Sequence, residues 1–190
     1  MKHFIIFGPP GAGKGTQAKL MVDKYNLRHV STGDLLRGEI AKQTELGKKA
    51  KELIEAGNLV PDEMVVAMIK SEIANHPDVT GFIFDGFPRT TAQAEILDDM
   101  LTKLGKKVDS VISIIVDDDL VKERIKHRAM LENRRDDMQD EVITNRIATY
   151  HKKTEPIIGY YKKQNKYHEI DGAGTIEDIF KEVCALIDNL

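Results

Sequence analysis

The chain has 190 residues, of which 41% are apolar and 31% charged, and its formal net charge is −3. This length suits a single domain (1–190) with a substantial core, and the composition is that of a soluble globular protein. The net negative charge excludes a general nucleic-acid binder, so any affinity for phosphate must come from individually placed cations. The apolar run that follows His3 is too short for a signal peptide or a membrane span. The single cysteine, Cys184, cannot form an intramolecular disulfide, which favours a cytoplasmic protein, and we expect it in the core.

A short apolar strand and a glycine-rich loop open the chain. Residues 4–7 predict the strand, and the loop that follows reads GPPGAGKGT over residues 8–16. It meets the phosphate-loop pattern G-x-x-x-x-G-K up to Lys14, with the hydroxyl one position late, at Thr16. Glycines let the backbone approach a phosphate and adopt positive φ, and the N-terminus of the following helix favours an anion. The loop therefore predicts a nucleoside triphosphate site, with Lys14 reaching the β- and γ-phosphates.

Residues 31–60 interrupt the alternation of strands and helices. A weak strand candidate at 27–30 precedes the string STGDLLR, in which Ser31 and Asp34 fit a capping box. The segment predicts two short polar helices with no strand between them. Because it carries Arg37, a candidate clamp for a second phosphate group, we expect it to fold over the edge of the sheet.

A second buried strand, at 82–84, ends in the string DGFPR. Asp85 resembles a Walker-B aspartate, which binds Mg²⁺ directly or through water. The alternative is a plain turn, since Asp, Gly and Pro all favour turns. Parallel strands would bring Asp85 to the sheet edge that holds the phosphate loop, which favours the metal role, and Arg89 can make a bidentate phosphate contact.

Several arginines are spread over the last third of the chain. They are Arg124, Arg128, Arg134, Arg135 and Arg146. The first two are four residues apart on a predicted helix and share a face. A single surface arginine is usually only solvated, but together with the basic residues above these predict a site that handles more than one polyphosphate.

Further strands at 111–116 and 167–170 alternate with helical stretches. Helices are predicted over 15–24, 61–75, 91–104, 120–130, 141–163 and 175–190. This alternation predicts an α/β fold of the P-loop NTPase type, with a five-stranded parallel sheet and helices on both faces.

Five strings occur in a fixed order along the chain: GPPGAGKGTQ, STGDLLR, GNLVPDE, DGFPRTTAQA and TEPIIGYY. In this combination the chain resembles the adenylate kinases over essentially its whole length, and GKGT is the usual ending of the phosphate loop in that family. The resemblance implies reversible, Mg²⁺-dependent phosphoryl transfer from ATP to AMP giving two ADP, by a monomer without nucleic-acid or membrane partners. It makes residues 31–60 an NMP-binding subdomain insertion and 127–137 a short lid. Since the long lid and zinc-binding cysteines of many bacterial relatives are missing from the sequence, no structural zinc is expected.

The resemblance also implies roles for individual residues. ATP would be bound by Gly11, Ala12, Gly13, Lys14, Gly15, Thr16, Arg124, Arg128 and Gly174. AMP would be bound by Thr32, Arg37, Asn58, Leu59, Val60, Gly86, Phe87, Pro88, Arg89, Gln93, Arg134 and Arg146. The catalytic set would be Lys14, Arg37, Arg89, Arg124, Arg128, Arg134 and Arg146. Asp85 would hold Mg²⁺ through water, with Thr16 as a second candidate ligand. Arg135 is an alternative to Arg134 as the lid arginine, and Arg134 fits the Arg-x-Asp-Asp pattern of the family.

Two other functions remain open at this point. The related pyrimidine monophosphate kinases share the loop, but they typically carry Ala at the position of Thr32 and Asn at that of Gln93. Gln93 can present a donor and an acceptor to an adenine edge, which favours AMP. A non-enzymatic nucleotide switch would need a partner-facing surface and a water-orienting residue, whereas this chain has a second group of arginines.

Overall fold

Five parallel strands form the centre of the molecule. The computed structural model describes residues 2–132 and 138–190, and for Glu132 it describes the backbone alone. The strands are β1 (Phe4–Phe7), β2 (Arg28–Ser31), β3 (Phe82–Asp85), β4 (Ser110–Ile115) and β5 (Tyr167–Asp171). They lie in the order β2-β3-β1-β4-β5, and every neighbouring pair is parallel. The predicted five-stranded parallel sheet is confirmed, including the weak candidate that became β2.

Helices connect the strands. Before the segment 133–137 they are α1 (Lys14–Tyr25), α2 (Thr32–Ala41), α3 (Glu45–Glu55), α4 (Asp62–Asn75), α5 (Thr91–Lys103) and α6 (Asp118–Glu132). After it come α7 (Asp140–Thr149), α8 (Ile157–Lys162) and α9 (Ile176–Asp188). Parallel neighbours require such crossovers, and these place the carboxyl ends of all five strands at one edge. Among the described residues, none of the helices is both long and apolar enough to cross a membrane.

The central strand β1 shows that helices cover both faces of the sheet. Ile5 and Phe7 belong to one apolar cluster, which includes residues of α4, α5 and α8. Phe4 and Ile6 belong to the other cluster, together with residues of α1 and α9. Side chains alternate between the two faces of a strand, so a strand that is buried on both faces reads as a continuous apolar run.

The helix predicted over 141–163 is wrong as a single element. It is divided into α7, a π-helical turn (Tyr150–Thr154) and α8. The amide of Glu155 donates to the carbonyl of Tyr150 at 2.9 Å, and Pro156, which has no amide hydrogen, precedes α8. The extra residue in the π turn rotates the helix that follows relative to α7.

The expected core position of Cys184 is also wrong, because its side chain is half-buried. The neighbouring Val183 is fully buried in the cluster that α9 forms with the sheet. Successive side chains of a helix point in directions about 100° apart around its axis, so the side chain of Cys184 is turned away from that of Val183. Cys184 therefore lies at the border of the apolar face.

Candidate active site

The phosphate loop joins the end of β1 to the start of α1. Gly8 has a φ of 136° and passes so close to β4 that an added β-carbon would lie 2.5 Å from the carbonyl oxygen of Ile114. Gly13, just before α1, has a φ of 92°, and no side chain caps the helix. The first turn of α1 also lacks an acidic residue, so its amide groups and the positive end of the helix dipole face the loop uncapped. This is a local site for an anion.

Lys14 lies at the centre of this loop. Its ammonium group donates to the carbonyl oxygens of Gly8 at 3.0 Å and of Pro9 at 2.7 Å. Burial lowers the pKa of Lys14 to about 8, and although Asp85 opposes this shift, the nearby cation of Arg89 adds to it. A bound polyphosphate would supply the negative charge that this buried ammonium lacks.

Asp85 ends β3 beside the phosphate loop. A β-carbon added to Gly15 would lie 3.7 Å from Oδ2 of Asp85, and Nε2 of His29 lies 3.4 Å from the same oxygen. In the register of the sheet, Asp85 pairs with Ile6 of β1 and with Ser31 of β2. The parallel strands thus bring the carboxylate to the edge where the sequence predicted it.

Arg89 follows β3 and is held through its backbone and its side chain. Its Nε donates to the carbonyl of Gly86 at 2.7 Å, and the same carbonyl accepts from Oγ1 of Thr32 at 2.8 Å. Burial lowers the pKa of the Arg89 guanidinium to about 10, and repulsion from Arg146 adds to this shift. Both arginines line the same cavity, and two cations that repel each other favour an anion between them.

One cavity of about 940 Å³ collects these groups. Of the described residues that line it, seven are Lys or Arg and three are Asp or Glu, although the whole chain carries a net negative charge. The predicted site residues along this lining are Gly11, Ala12, Gly13, Lys14, Gly15, Thr16, Thr32, Arg37, Asn58, Leu59, Val60, Asp85, Gly86, Pro88, Arg89, Gln93, Arg124, Arg128, Arg146 and Gly174. The cavity therefore joins the phosphate loop to the second group of arginines.

Among the described residues, Phe87 is the one predicted site residue that does not join this lining. Phe87 is 1% exposed, and its side chain packs in the core beside the sheet, so only its backbone could meet a ligand. Arg134 lies outside the described residues, as does its alternative Arg135.

The segment 31–60 forms one wall of the cavity. Ser31 caps α2 by accepting from the amide of Asp34, as the capping box predicted, and Oδ1 of Asp34 lies 2.6 Å from Nη2 of Arg37. At its far end, the carbonyl of Ala56 accepts from the side-chain amide of Asn145 at 2.7 Å. The segment thus contacts α7 on the opposite wall.

Three residues of the site region escaped the sequence analysis: Gln17, Asp62 and Thr154. Gln17 is buried and donates to the carbonyl of Ile176 at 3.0 Å, which ties α1 to the loop of Gly174. Asp62 accepts from the side chain of Gln93, and Thr154 donates to the carbonyl of Arg89. All three residues stood inside the strings quoted above, so the strings were a signal, but no spacing rule links any of them to its partner.

The fold and the site together define a P-loop phosphotransferase whose cavity suits two phosphorylated substrates. The family model for adenylate kinase matches residues 6–166 of the chain. An adenylate kinase of Flavobacterium johnsoniae is 47% identical over 190 residues, covering 100% of both chains, and one of Bacteroides thetaiotaomicron is 44% identical with the same coverage. An adenylate kinase of Archaeoglobus fulgidus is 42% identical over 214 residues, covering 99% of each. The chain belongs to the adenylate kinase family and is a nucleoside monophosphate kinase, which confirms the resemblance.

Proposed function

We propose that this one cavity carries out the transfer of a phosphoryl group between ATP and AMP, with the residues named above in the roles that follow. The observation that supports this most strongly is the excess of Lys and Arg over Asp and Glu along the lining, where six of the seven cations are half-buried. Two polyanions repel each other, and catalysis of phosphoryl transfer consists largely of neutralising and aligning them.

On the ATP side, the loop from Gly11 to Thr16 wraps the phosphates and Lys14 bridges to the transferred group. Arg124 and Arg128 approach from α6, on the face that lines the cavity. Gly174, on the loop that Gln17 holds, meets the base through its backbone. Such readout through the backbone tolerates a change of base, so this side is the less selective one.

On the AMP side, Thr32, Arg37 and Arg89 surround the phosphate, and the segment 58–60 with Gln93 meets the base. Gly86 to Pro88 contribute their backbone, and Arg146 with Arg134 closes on the transferring group. The second pKa of a phosphomonoester is about 6, so the acceptor phosphate is mostly ionised at neutral pH and needs no base to activate it. Positioning and charge supply the catalysis.

The residues beside the phosphate loop fit a magnesium ion. Mg²⁺ prefers oxygen ligands and is held by one or two carboxylates together with substrate phosphates and water. Asp85 offers such a carboxylate at the cavity wall, and Thr16 is a second candidate. When bound, the ion neutralises charge on the phosphates.

Two segments are assigned to closure over the substrates. Residues 31–60 would move as the NMP-binding subdomain, and residues 127–137, of which 133–137 lie outside the described residues, would move as a short lid. Together they would exclude water that would otherwise hydrolyse ATP. We further propose that the protein works as a cytoplasmic monomer whose partners are nucleotides rather than nucleic acid or membrane, in keeping with its net charge of −3 and its single cysteine.

Steady-state assays with one triphosphate and three acceptors test the proposal. With ATP and Mg²⁺, we expect AMP to be phosphorylated faster than CMP or UMP, and ADP alone to be converted into ATP and AMP. A faster rate with CMP or UMP would contradict the assignment of the AMP side. A crystal structure with a bisubstrate dinucleoside polyphosphate would test the individual contacts.

A further inference from the structure

The side chain of Gln93 is held at both ends by the protein. It is 2% exposed and lines the cavity. Its Nε2 donates to Oδ1 of Asp62 at 2.6 Å, and its Oε1 accepts from the backbone amide of Arg89 at 2.8 Å. An amide group has two donor hydrogens and two acceptor lone pairs, so one hydrogen and one lone pair of Gln93 remain for a ligand.

These two partners decide which way round the amide of Gln93 stands. A carboxylate only accepts hydrogen bonds and a backbone amide only donates them. If the side-chain amide turned over, its oxygen would face the carboxylate of Asp62 and its NH₂ group would face the amide of Arg89. Both hydrogen bonds would be replaced by repulsive contacts, one of which involves a charged group.

Asp62 is itself fixed, at the start of α4. Its Oδ2 lies 3.5 Å from the hydroxyl of Thr90, which caps α5 by accepting from the amide of Gln93. Gln93 lines the cavity, whereas Asp62 is not part of the described lining. Asp62 can therefore act on a ligand only through Gln93, as a positioning residue.

We propose that Asp62 makes the acceptor site selective for a purine monophosphate with a 6-amino group over one with a 6-keto group, by holding the Gln93 amide in a single orientation. The inference rests on the proposed function, in which Gln93 meets the base of AMP. A 6-amino purine presents a donor beside the acceptor N1, whereas a 6-keto purine presents an acceptor beside the donor N1–H. A glutamine free to turn over could pair with either edge, and a glutamine pinned by Asp62 pairs only with the first.

The test compares AMP with inosine monophosphate (IMP) as acceptors for the whole enzyme. In Asp62→Asn, residue 62 keeps its shape but can donate as well as accept, so only the Arg89 amide still opposes the turned-over orientation and Gln93 populates it more readily. We expect the ratio of kcat/KM for AMP to that for IMP to fall about tenfold, which equals about 1.4 kcal/mol, with KM for ATP unchanged. Glu63→Gln removes the same charge from the next, exposed position and should leave the ratio as in the wild type.

Three outcomes would contradict the proposals in different ways. If Gln93→Leu leaves KM for AMP unchanged, the proposed AMP site fails and the inference fails with it. If Gln93→Leu raises that KM but Asp62→Asn keeps the ratio within twofold of the wild type, only the inference is overturned. The same holds if Asp62→Asn lowers kcat/KM for AMP and IMP equally, because that is the result of a purely structural role.

A measurement on the wild-type protein does not depend on the folding of an Asp62 variant. The side-chain NH₂ signals of Gln93 in a ¹H–¹⁵N spectrum can be assigned by their loss in Gln93→Leu. We expect one of the two protons to be shifted strongly downfield by its bond to the Asp62 carboxylate. Two signals at the positions of a solvated glutamine would overturn the inference.

Discussion

The hydroxyl of Thr154 donates to the backbone carbonyl of Arg89 at 2.9 Å. Thr154 ends the π-helical turn between α7 and α8, whereas Arg89 follows β3, so the bond joins two distant parts of the chain. Since Gln93 accepts from the amide of Arg89, the two polar backbone groups of this arginine are both held. These two contacts fix the backbone of Arg89, so its side chain is oriented toward the cavity.

Replacement of Thr154 tests this contact. Thr154→Val keeps the shape of the side chain but leaves the Arg89 carbonyl without its donor. We expect kcat/KM for AMP to fall about fivefold to tenfold, the effect of about 1–1.4 kcal/mol that a lost buried hydrogen bond produces, with KM for ATP little changed. Thr154→Ser keeps the hydroxyl and should behave as the wild type. A loss in Thr154→Ser with none in Thr154→Val would show that the methyl group matters and the hydrogen bond does not.

Lys14→Met removes the central cation of the phosphate loop. We expect kcat to fall by about three to five decades, the scale found for an essential cation of phosphoryl transfer, or about 4–7 kcal/mol of barrier. Lys24→Met, at an exposed position of the same helix, removes a lysine that pairs only loosely with Asp188 at 3.6 Å and serves as the matched control. Turnover of Lys14→Met close to that of Lys24→Met, measured with ATP and AMP, would contradict the role given to the loop.

Arg89→Ala separates the two substrates. Its proposed partner is the phosphate of AMP, so we expect kcat and the affinity for AMP to fall. The Kd for ATP, measured by calorimetry, should stay within about threefold of the wild type, since none of the proposed contacts of Arg89 is with ATP. Arg28→Ala, which removes an exposed arginine paired with Glu72, is the control for loss of a positive charge. A defect confined to ATP binding would argue against the assignment.

His3 should make the stability of the fold depend on pH. Burial, assisted by the charge of Lys106, lowers the pKa of His3 to about 4, and its Nδ1 accepts from the amide of Phe82. Well above pH 6.5 the residue is neutral in both the folded and the unfolded chain. As the pH falls from 6.5 to 4, His3 takes up a proton in the unfolded chain but stays neutral in the folded chain. The free energy of unfolding therefore declines over this window.

The expected loss is about 2–3 kcal/mol in the free energy of unfolding. His3→Asn keeps an acceptor for the Phe82 amide but cannot take up the proton. Urea titrations at pH 7 and pH 4.5 should show a smaller decline in His3→Asn than in the wild type. Equal declines in the two proteins would mean that other groups cause the acid sensitivity.

The amino-acid sequence by itself determined the fold class, the phosphate loop and the aspartate at the end of β3. These features are local, because a strand, a turn and a helix start are specified by neighbouring residues, and parallel strands bring their carboxyl ends together in any such sheet. The family was recognisable for the same reason, since its strings are contiguous. The helix over 141–163 was wrong because apolar periodicity does not reveal a π turn, and the position of Cys184 was wrong because it depends on how α9 is rotated against the sheet.

Only the tertiary structure decided what supports these motifs. The pairs formed by Asp62 with Gln93, by Thr154 with Arg89 and by Gln17 with Ile176 join residues that are 31, 65 and 159 positions apart. No periodicity links such positions, because their meeting depends on the strand order and on the way the helices pack against the sheet. The cations that would touch the nucleotides can be predicted from the amino-acid sequence. The contacts that orient their side chains result from tertiary packing.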